Sequence, residues 1–258
     1  MNQWGSLVTA PLVAISAADF DAVVFDMDGV VTDTAVVHRR AWQAMFDPFL
    51  AALAERTDTV QQPFSEDDYL RYVDGKQRAD GVTSFLGSRN VVLPRGSAED
   101  PPGEQTVWAL ANRKDQTFQH VLTSDGARAF PSTVGLVRDL QDHGLGTAII
   151  SASRNCQAIL DAAGIGDLFP VRVDGLESAR LGLPGKPAPA VFLEAVRRLG
   201  ASPRRSVVVE DALAGVQAGR DGEFGLVVGV DRVGQADALR EHGADIIVSD
   251  LSEVRVLP

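Results

Sequence analysis

Several short apolar runs along the chain each stop at a polar or acidic turn. Asp21-Ala-Val-Val-Phe25 meets Asp26-Met-Asp28-Gly29, Gly146-Thr-Ala-Ile-Ile150 meets Ser151-Ala-Ser153, and Ser206-Val-Val-Val209 meets Glu210-Asp211. Runs of this length ended in this way read as strands buried on both faces of a parallel sheet. Leu226–Val230 and Ile246–Val248 add two more, so five strands are predicted. Between them the apolar period becomes helical. Val134, Leu136, Val137 and Leu140 share one face of a helix ended by Gly144. Ala188, Val191, Phe192, Ala195, Val196 and Leu199 share another, opened after Pro187 and ended by Gly200. Strands alternating with such helices predict an α/β fold, a doubly wound, Rossmann-like parallel sheet.

From about Ala35 to Ser124 the alternation stops and the pattern is helical throughout. Helices are predicted over Val36–Arg56, from Ser65, from Arg78 and around Glu104–Leu122. Ser65-Glu-Asp-Asp68 has the form of an N-cap with an acid three residues on. Ser88–Pro102, with Pro94, Gly96, Pro101 and Pro102, is a loop long enough to serve more than connection. The expected organisation is a core of residues 1–35 and 125–258 and an inserted helical cap of residues 36–124.

Composition narrows the function. The 258 residues hold 24 Lys+Arg against 35 Asp+Glu, a formal charge of −11. Nucleic acid and anionic membrane surfaces, which need clustered cations, are therefore disfavoured as partners. The cap interval holds 10 basic and 12 acidic residues and the remainder 14 and 23, so the cap is relatively the more basic part, as a lid over an anion needs. One cysteine, Cys156, excludes an intramolecular disulfide framework and any Cys-based zinc cluster, and reads as a small buried filler. No run reaches the ~18 apolar residues of a membrane span. Met1–Phe20 lacks a basic leader and is broken by Pro11 and Asp19, so a cytoplasmic location is expected.

The strand ends carry the chemistry. In open α/β sheets ligands bind beyond the carboxyl ends of the strands. Asp26 and Asp28 end one strand, and Glu210 and Asp211 end another. Carboxylates so close repel one another unless a cation neutralises them or one is protonated, and an all-oxygen donor set favours Mg²⁺. One such pair alone could be a helix cap; two at the ends of two sheet strands point to a metal site. The Ser151 hydroxyl, with the backbone N–H groups of Ala152 and Ser153, faces an anion at a strand end. Lys186 stands just before a helix, where a cation is unfavourable unless something anionic compensates it. A nucleophile, an acid–base, a metal and phosphate-directed donors together are the requirements of phosphoryl transfer.

With Asp26-Met-Asp-Gly-Val-Val-Thr-Asp33-Thr34, Ser151, Lys186-Pro187 and Glu210-Asp211 in that order, the chain resembles the haloacid-dehalogenase-type phosphotransferases over about residues 20–248. The resemblance implies that Asp26 is the nucleophile that forms an aspartyl-phosphate. It makes Asp28 the general acid–base, with its backbone carbonyl on the metal. Ser151 and Lys186 then hold the transferring phosphoryl, and Glu210 and Asp211 complete the Mg²⁺ site. The helical insert is similar to that family's cap, and the presence of Asp28 favours phosphate chemistry over dehalogenation.

A narrower resemblance is to the β-phosphoglucomutases. Thr34, His38 and Trp42 match that branch after the first motif, and Asp74-Gly75-Lys76-Gln-Arg78 looks like its substrate loop. Lys114 in Asn112-Arg-Lys-Asp115 resembles its cap lysine, with Asp115 where asparagine is usual, and Ser151-Ala152-Ser153-Arg154-Asn155 matches the loop that holds the far phosphate. The substrate set implied is His38, Gly75, Arg78, Lys114, Ala152, Ser153, Arg154 and Asn155. His38 either orients Asp28 or touches the sugar, Trp42 is cap core or sugar platform, and Lys76 is a loop lysine or a ligand.

The expected activity is interconversion of β-D-glucose 1-phosphate and glucose 6-phosphate by a monomer acting on a sugar phosphate and its bisphosphate intermediate. The alternative is a Mg²⁺-dependent sugar-phosphate phosphatase of the same fold. A phospho-aspartate receiver module also clusters acids, a hydroxyl and a lysine at strand ends. Its acceptor follows a mid-sheet strand, however, whereas here the candidate follows the first strand and is succeeded by a long insertion.

Overall fold

A computed structural model describes residues 13–258; residues 1–12, part of the stretch read as lacking a leader, lie outside the described residues. In chain order the elements begin with β1 (Val13–Ser16) and β2 (Ala22–Asp26). The insertion follows as α1 (Ala35–Thr57), α2 (Glu66–Asp68), α3 (Arg78–Ser88) and α4 (Val107–Asp125). The sheet then resumes through α5 (Pro131–Asp142), β3 (Gly146–Ile150), α6 (Cys156–Ala162), β4 (Val171–Val173), α7 (Gly175–Leu181) and α8 (Ala190–Leu199). The chain closes with β5 (Ser206–Glu210), α9 (Leu213–Asp221), β6 (Leu226–Val230), α10 (Ala236–Glu241), β7 (Ile246–Val248) and β8 (Val254–Leu257).

The main sheet is parallel and has six strands rather than five, in the order β4-β3-β2-β5-β6-β7. The strand absent from the sequence reading is β4, whose Val-Arg-Val is broken by a charged residue, whereas the equally short Ile246–Val248 is apolar throughout. β1 and β8 form a separate parallel pair, Val13 opposite Val254, joining the two ends of the described chain. Every residue of β2 and β5 is buried, as strands covered on both faces require. Alternation splits them between two cores: Val23, Phe25, Val207 and Val209 pack on the α5 and α6 side, and Val24 and Val208 on the α8 and α9 side.

The insertion has a core of its own. Phe46 lies 4.2 Å from Phe85 and 5.1 Å from Phe64 by ring centroids, with Trp42 stacked at 5.4 Å. Each buried aromatic contributes about 1.5–3 kcal/mol, so this cluster packs α1, α3 and α4 against one another. Ala41 of α1 and Phe118 of α4 instead join the core beneath, rooting the insertion. Ser65 caps α2 with a full capping box to Asp68, but α2 lasts one turn and widens into a π-helical turn over Tyr69–Val73. The fourth helix starts at Val107 rather than Glu104, because the Thr106 hydroxyl caps it by accepting from the Ala109 N–H.

Candidate active site

β2 is the strand at which the order of the sheet reverses: β3 and β4 build outward on one side of it and β5, β6 and β7 on the other, opening a crevice at its carboxyl end. Asp26 is the last residue of β2, Ser151 follows β3, and Glu210 ends β5. Side chains alternate along a strand, so Asp26 shares the face of Val24 and Glu210 that of Val208, both toward α8. Lys186 arrives on that face from the segment leading into α8.

Its Nζ donates to Asp26 Oδ1 at 2.5 Å and also to Glu210 Oε1. All three groups are buried, as is Asp211. The second Glu210 oxygen, Oε2, accepts from the Ala212 N–H at 2.9 Å. Burial, then the Glu210 charge, push Asp26 well above the usual carboxylate range, with Lys186 opposing. Burial followed by the charges of Asp74 and Glu210 do the same to Asp211. Burial also works against the Lys186 ammonium, but Asp26 and Glu210 outweigh it and hold it charged. One ammonium among three buried carboxylates leaves excess negative charge.

Oxygens of Asp26, Glu210 and Asp211 lie within 4.8 Å of one another, so this carboxylate cluster can coordinate a divalent cation. The chemistry of the donor set, hard oxygens carrying uncompensated charge, fits Mg²⁺. The Asp28 carboxylate does not join them. Gly29 beside it adopts φ +84°, and a Cβ there would run into the Asp211 carboxylate, so this turn tolerates only glycine.

Asp28 turns instead toward the insertion. Its Oδ1 accepts from the Thr34 hydroxyl and stands 3.4 Å from His38 Nε2. Burial alone would raise Asp28, but His38 foremost, then Thr34 and Lys114, bring it below the ordinary range. His38 Nδ1 is 2.7 Å from Lys114 Nζ, and the imidazole stacks on Phe118 at 4.1 Å. Burial, then the Lys114 ammonium, lower His38, which fixes a neutral ring accepting at Nδ1 and carrying its proton on Nε2 toward Asp28. Lys114, 5 % exposed, lies over Trp42 and Phe118, and burial brings its pKa down to about 8. Trp42 is thus cap core, stacked on Phe46, with an edge in the cavity.

A pH dependence follows from Lys114. Raising the pH through about 8 removes its proton and is expected to lower kcat/KM. The unfolded chain keeps that proton until about 10.4, so stability should rise between the two values while activity falls. Lys114→Arg should move the alkaline limb upward. A limb that stays in place in the arginine variant assigns it to another group.

A cavity of about 310 Å³ runs from Asp26, Asp28 and Asp211 to Arg78, Asp115, Ser153 and Arg154. Gly75 brings the insertion down onto the sheet side: with φ +68°, its missing Cβ would sit 3.0 Å from Ala212 Cβ and 3.8 Å from Lys186 Cδ. Arg78 donates to Asn112 Oδ1 at 2.9 Å and pairs with Asp115 Oδ2 at 2.9 Å. Asn155 donates to Asp115 Oδ1 at 2.9 Å. Lys76 bonds to Ser84 at 2.9 Å while lining the cavity.

The Ser151 hydroxyl accepts the Ser153 N–H at 3.0 Å, so the amide expected to face an anion is already engaged within the loop. Most of the expected site residues line this one cavity; Ser151, Lys186 and Glu210 are buried outside its lining, and Asn155 reaches it only through its bond to Asp115. Cys156 lies buried at the start of α6, its thiol pushed up by burial, which suits a filler.

The cavity wall also holds Tyr69 and Glu99, which the sequence does not single out, and Asp74, which it marks only as part of the substrate-like loop. Burial raises the Asp74 carboxyl to about 7, against the opposing hydrogen bond from Tyr69. It directly precedes Gly75, so its place in the quoted Asp74-Gly75-Lys76 loop was the available signal. Ala98 and Glu99 bring the long loop into the cavity wall, where Asn112 Nδ2 ties it down through Ala98 O at 3.1 Å and Asp100 O at 2.7 Å. Among the described residues no helix is long and apolar enough to cross a membrane.

A family model for haloacid dehalogenase-like hydrolases matches residues 20–222, and the chain belongs to that family. It is 46 % identical over 90 % of its length to a β-phosphoglucomutase from Mycobacterium bovis, of which it covers 90 %. It is 47 % identical to a trehalose-phosphate phosphatase from Mycobacterium leprae over 48 % of this chain and 28 % of that protein. The crystal structure of a β-phosphoglucomutase from Clostridium difficile superposes with a TM-score of 0.70 at 23 % identity, covering 92 % of this chain and 93 % of that one. That last likeness concerns the α/β core with its helical insertion.

Proposed function

We propose that the protein is a phosphosugar mutase that interconverts β-D-glucose 1-phosphate and glucose 6-phosphate through an aspartyl-phosphate on Asp26. The observation that carries this reading is a cavity whose wall holds both the carboxylates of Asp26, Asp28 and Asp211 and the cations and hydroxyl of Arg78, Arg154 and Ser153. A sugar carrying phosphate at either end needs both. The similarity to a β-phosphoglucomutase over nearly the whole chain supports it.

In this mechanism phospho-Asp26 gives its phosphoryl group to the 6-hydroxyl of glucose 1-phosphate, and Asp28 takes the hydroxyl proton. The bisphosphate turns end for end. An Asp26 oxygen then attacks the phosphorus at C1, Asp28 returns the proton to the departing C1 oxygen, and glucose 6-phosphate leaves. His38 and Lys114 hold Asp28 in position. Ser151 and Lys186 hold the transferring group, while Gly75, Arg78, Ala152, Ser153, Arg154 and Asn155 hold the sugar and far phosphate. Asp26, Glu210, Asp211 and the Asp28 carbonyl would hold Mg²⁺, which supplies charge neutralisation for the phosphoryl oxygens. Residues 36–124 act as a cap that excludes water from the acyl phosphate.

The alternative reading, a sugar-phosphate phosphatase, has water as acceptor and is favoured by the phosphatase similarity over 48 % of the chain. Phosphorus NMR of the protein with β-glucose 1-phosphate, Mg²⁺ and a bisphosphate primer tests both. Glucose 6-phosphate is expected; inorganic phosphate without it overturns the mutase reading. Arg78→Ala should impair substrates with a second anionic end far more than a single-phosphate ester.

A further inference from the structure

Arg78, the cation best placed for a second phosphate, already has an anion. Asp115 Oδ2 receives its Nη1 at 2.9 Å, and Asp115 Oδ1 receives Asn155 Nδ2 at 2.9 Å. The two donors come from different parts of the molecule, Arg78 from α3 of the insertion and Asn155 from the loop after β3. One turn further along α4, Gln119 Nε2 donates to Asn155 Oδ1 at 3.0 Å, so the same helix face grips Asn155 twice. One turn back, Asn112 Oδ1 takes the other end of the guanidinium at 2.9 Å. The Arg78 Nε is buried and has no partner, which leaves one donor free for an incoming acceptor. A carboxylate whose two oxygens bridge a guanidinium and an amide presents what a phosphate would present to them. Here that carboxylate lines the cavity itself.

We infer that Asp115 is a positioning residue that serves as a built-in counter-ion of the second-phosphate subsite: it holds Arg78 and Asn155 together across the cap–core boundary and opposes, by its charge, the phosphate that comes to them. The inference rests on the two-ended phosphosugar reading. Its consequence is that Asp115 sets how strongly the cavity prefers two phosphates to one. A full negative charge within hydrogen-bond distance of the binding guanidinium weakens a dianion more than a ligand lacking that group. The bisphosphate is thereby held loosely enough to leave the subsite and turn over.

The test is titration calorimetry on an Asp26→Asn background, which blocks turnover, with Mg²⁺ present and two probes, glucose 1,6-bisphosphate and phenyl phosphate. Asp115→Asn keeps the shape and removes the charge. The ratio of the two affinities is expected to rise in favour of the bisphosphate by about tenfold. A change in general stability would move both probes together and leave the ratio where it was. Should the asparagine variant melt below the assay temperature, Asp115→Ser, also uncharged, should give the same rise. Arg78→Ala is the companion variant. If it lowers the ratio while neutralising Asp115 does not raise it, the counter-ion role is wrong and the mutase reading stands. If Arg78→Ala leaves the ratio unaltered, the cavity has no second-phosphate site and both fall.

Discussion

Asp26→Asn is expected to reduce turnover by on the order of 10⁴-fold or more and to abolish phospho-enzyme formation, because the amide is no nucleophile toward phosphorus. The fold should survive. Asparagine fills the same buried volume at the end of β2 and keeps an oxygen to accept from Lys186, which reaches Asp26 Oδ1 at 2.5 Å. Without Mg²⁺ the variant should melt no lower than the wild type, since one of the carboxylates crowded around a single ammonium has lost its charge. Phosphorus NMR and a thermal melt check the two halves separately. Wild-type turnover would remove Asp26 from the chemistry, and a collapsed melt would show that its charge is structural.

Lys186→Met should have the largest effect on stability. Methionine keeps much of the apolar stem but leaves Asp26 and Glu210 facing each other in a buried site with no cation between them. Removing one partner of a buried ion pair costs about 3–5 kcal/mol. For a chain of this size that is a fall in melting temperature on the order of 10 °C. Added Mg²⁺ should recover part of the loss, because it binds the carboxylates only when the fold brings them together. Turnover should stay low even then, since the phosphoryl group loses a cation that Mg²⁺ at Asp211 does not replace. A melt unchanged in metal-free buffer would contradict the picture of Lys186 as the neutralising charge.

The carboxylates behind both effects stand where the sequence itself marks strand ends. Asp26, Ser151 and Glu210 each follow an apolar run of strand type, and a parallel sheet necessarily places such ends on one edge. The capping box at Ser65 and the stops at Gly144 and Gly200 were legible for a similar reason: they are local, decided within a few residues. β4 was not legible, since Arg172 interrupts its apolar run and only pairing with β3 gives it the identity of a strand. Nor was the engagement of the Ser153 N–H by Ser151, which depends on how the loop turns.

The chain by itself determined the α/β plan, the four clusters of chemical residues and the position of the insertion, because periodicity and turn chemistry are properties of neighbouring residues. Tertiary structure alone decided that Lys186 lies between Asp26 and Glu210, that Asp28 turns toward His38 and Lys114, and that Asp115 joins Arg78 to Asn155. Those contacts span from 10 to 160 residues of chain, and their direction is set by which face of a strand or helix meets which neighbour. Pattern along a sequence records the face; only packing supplies the neighbour.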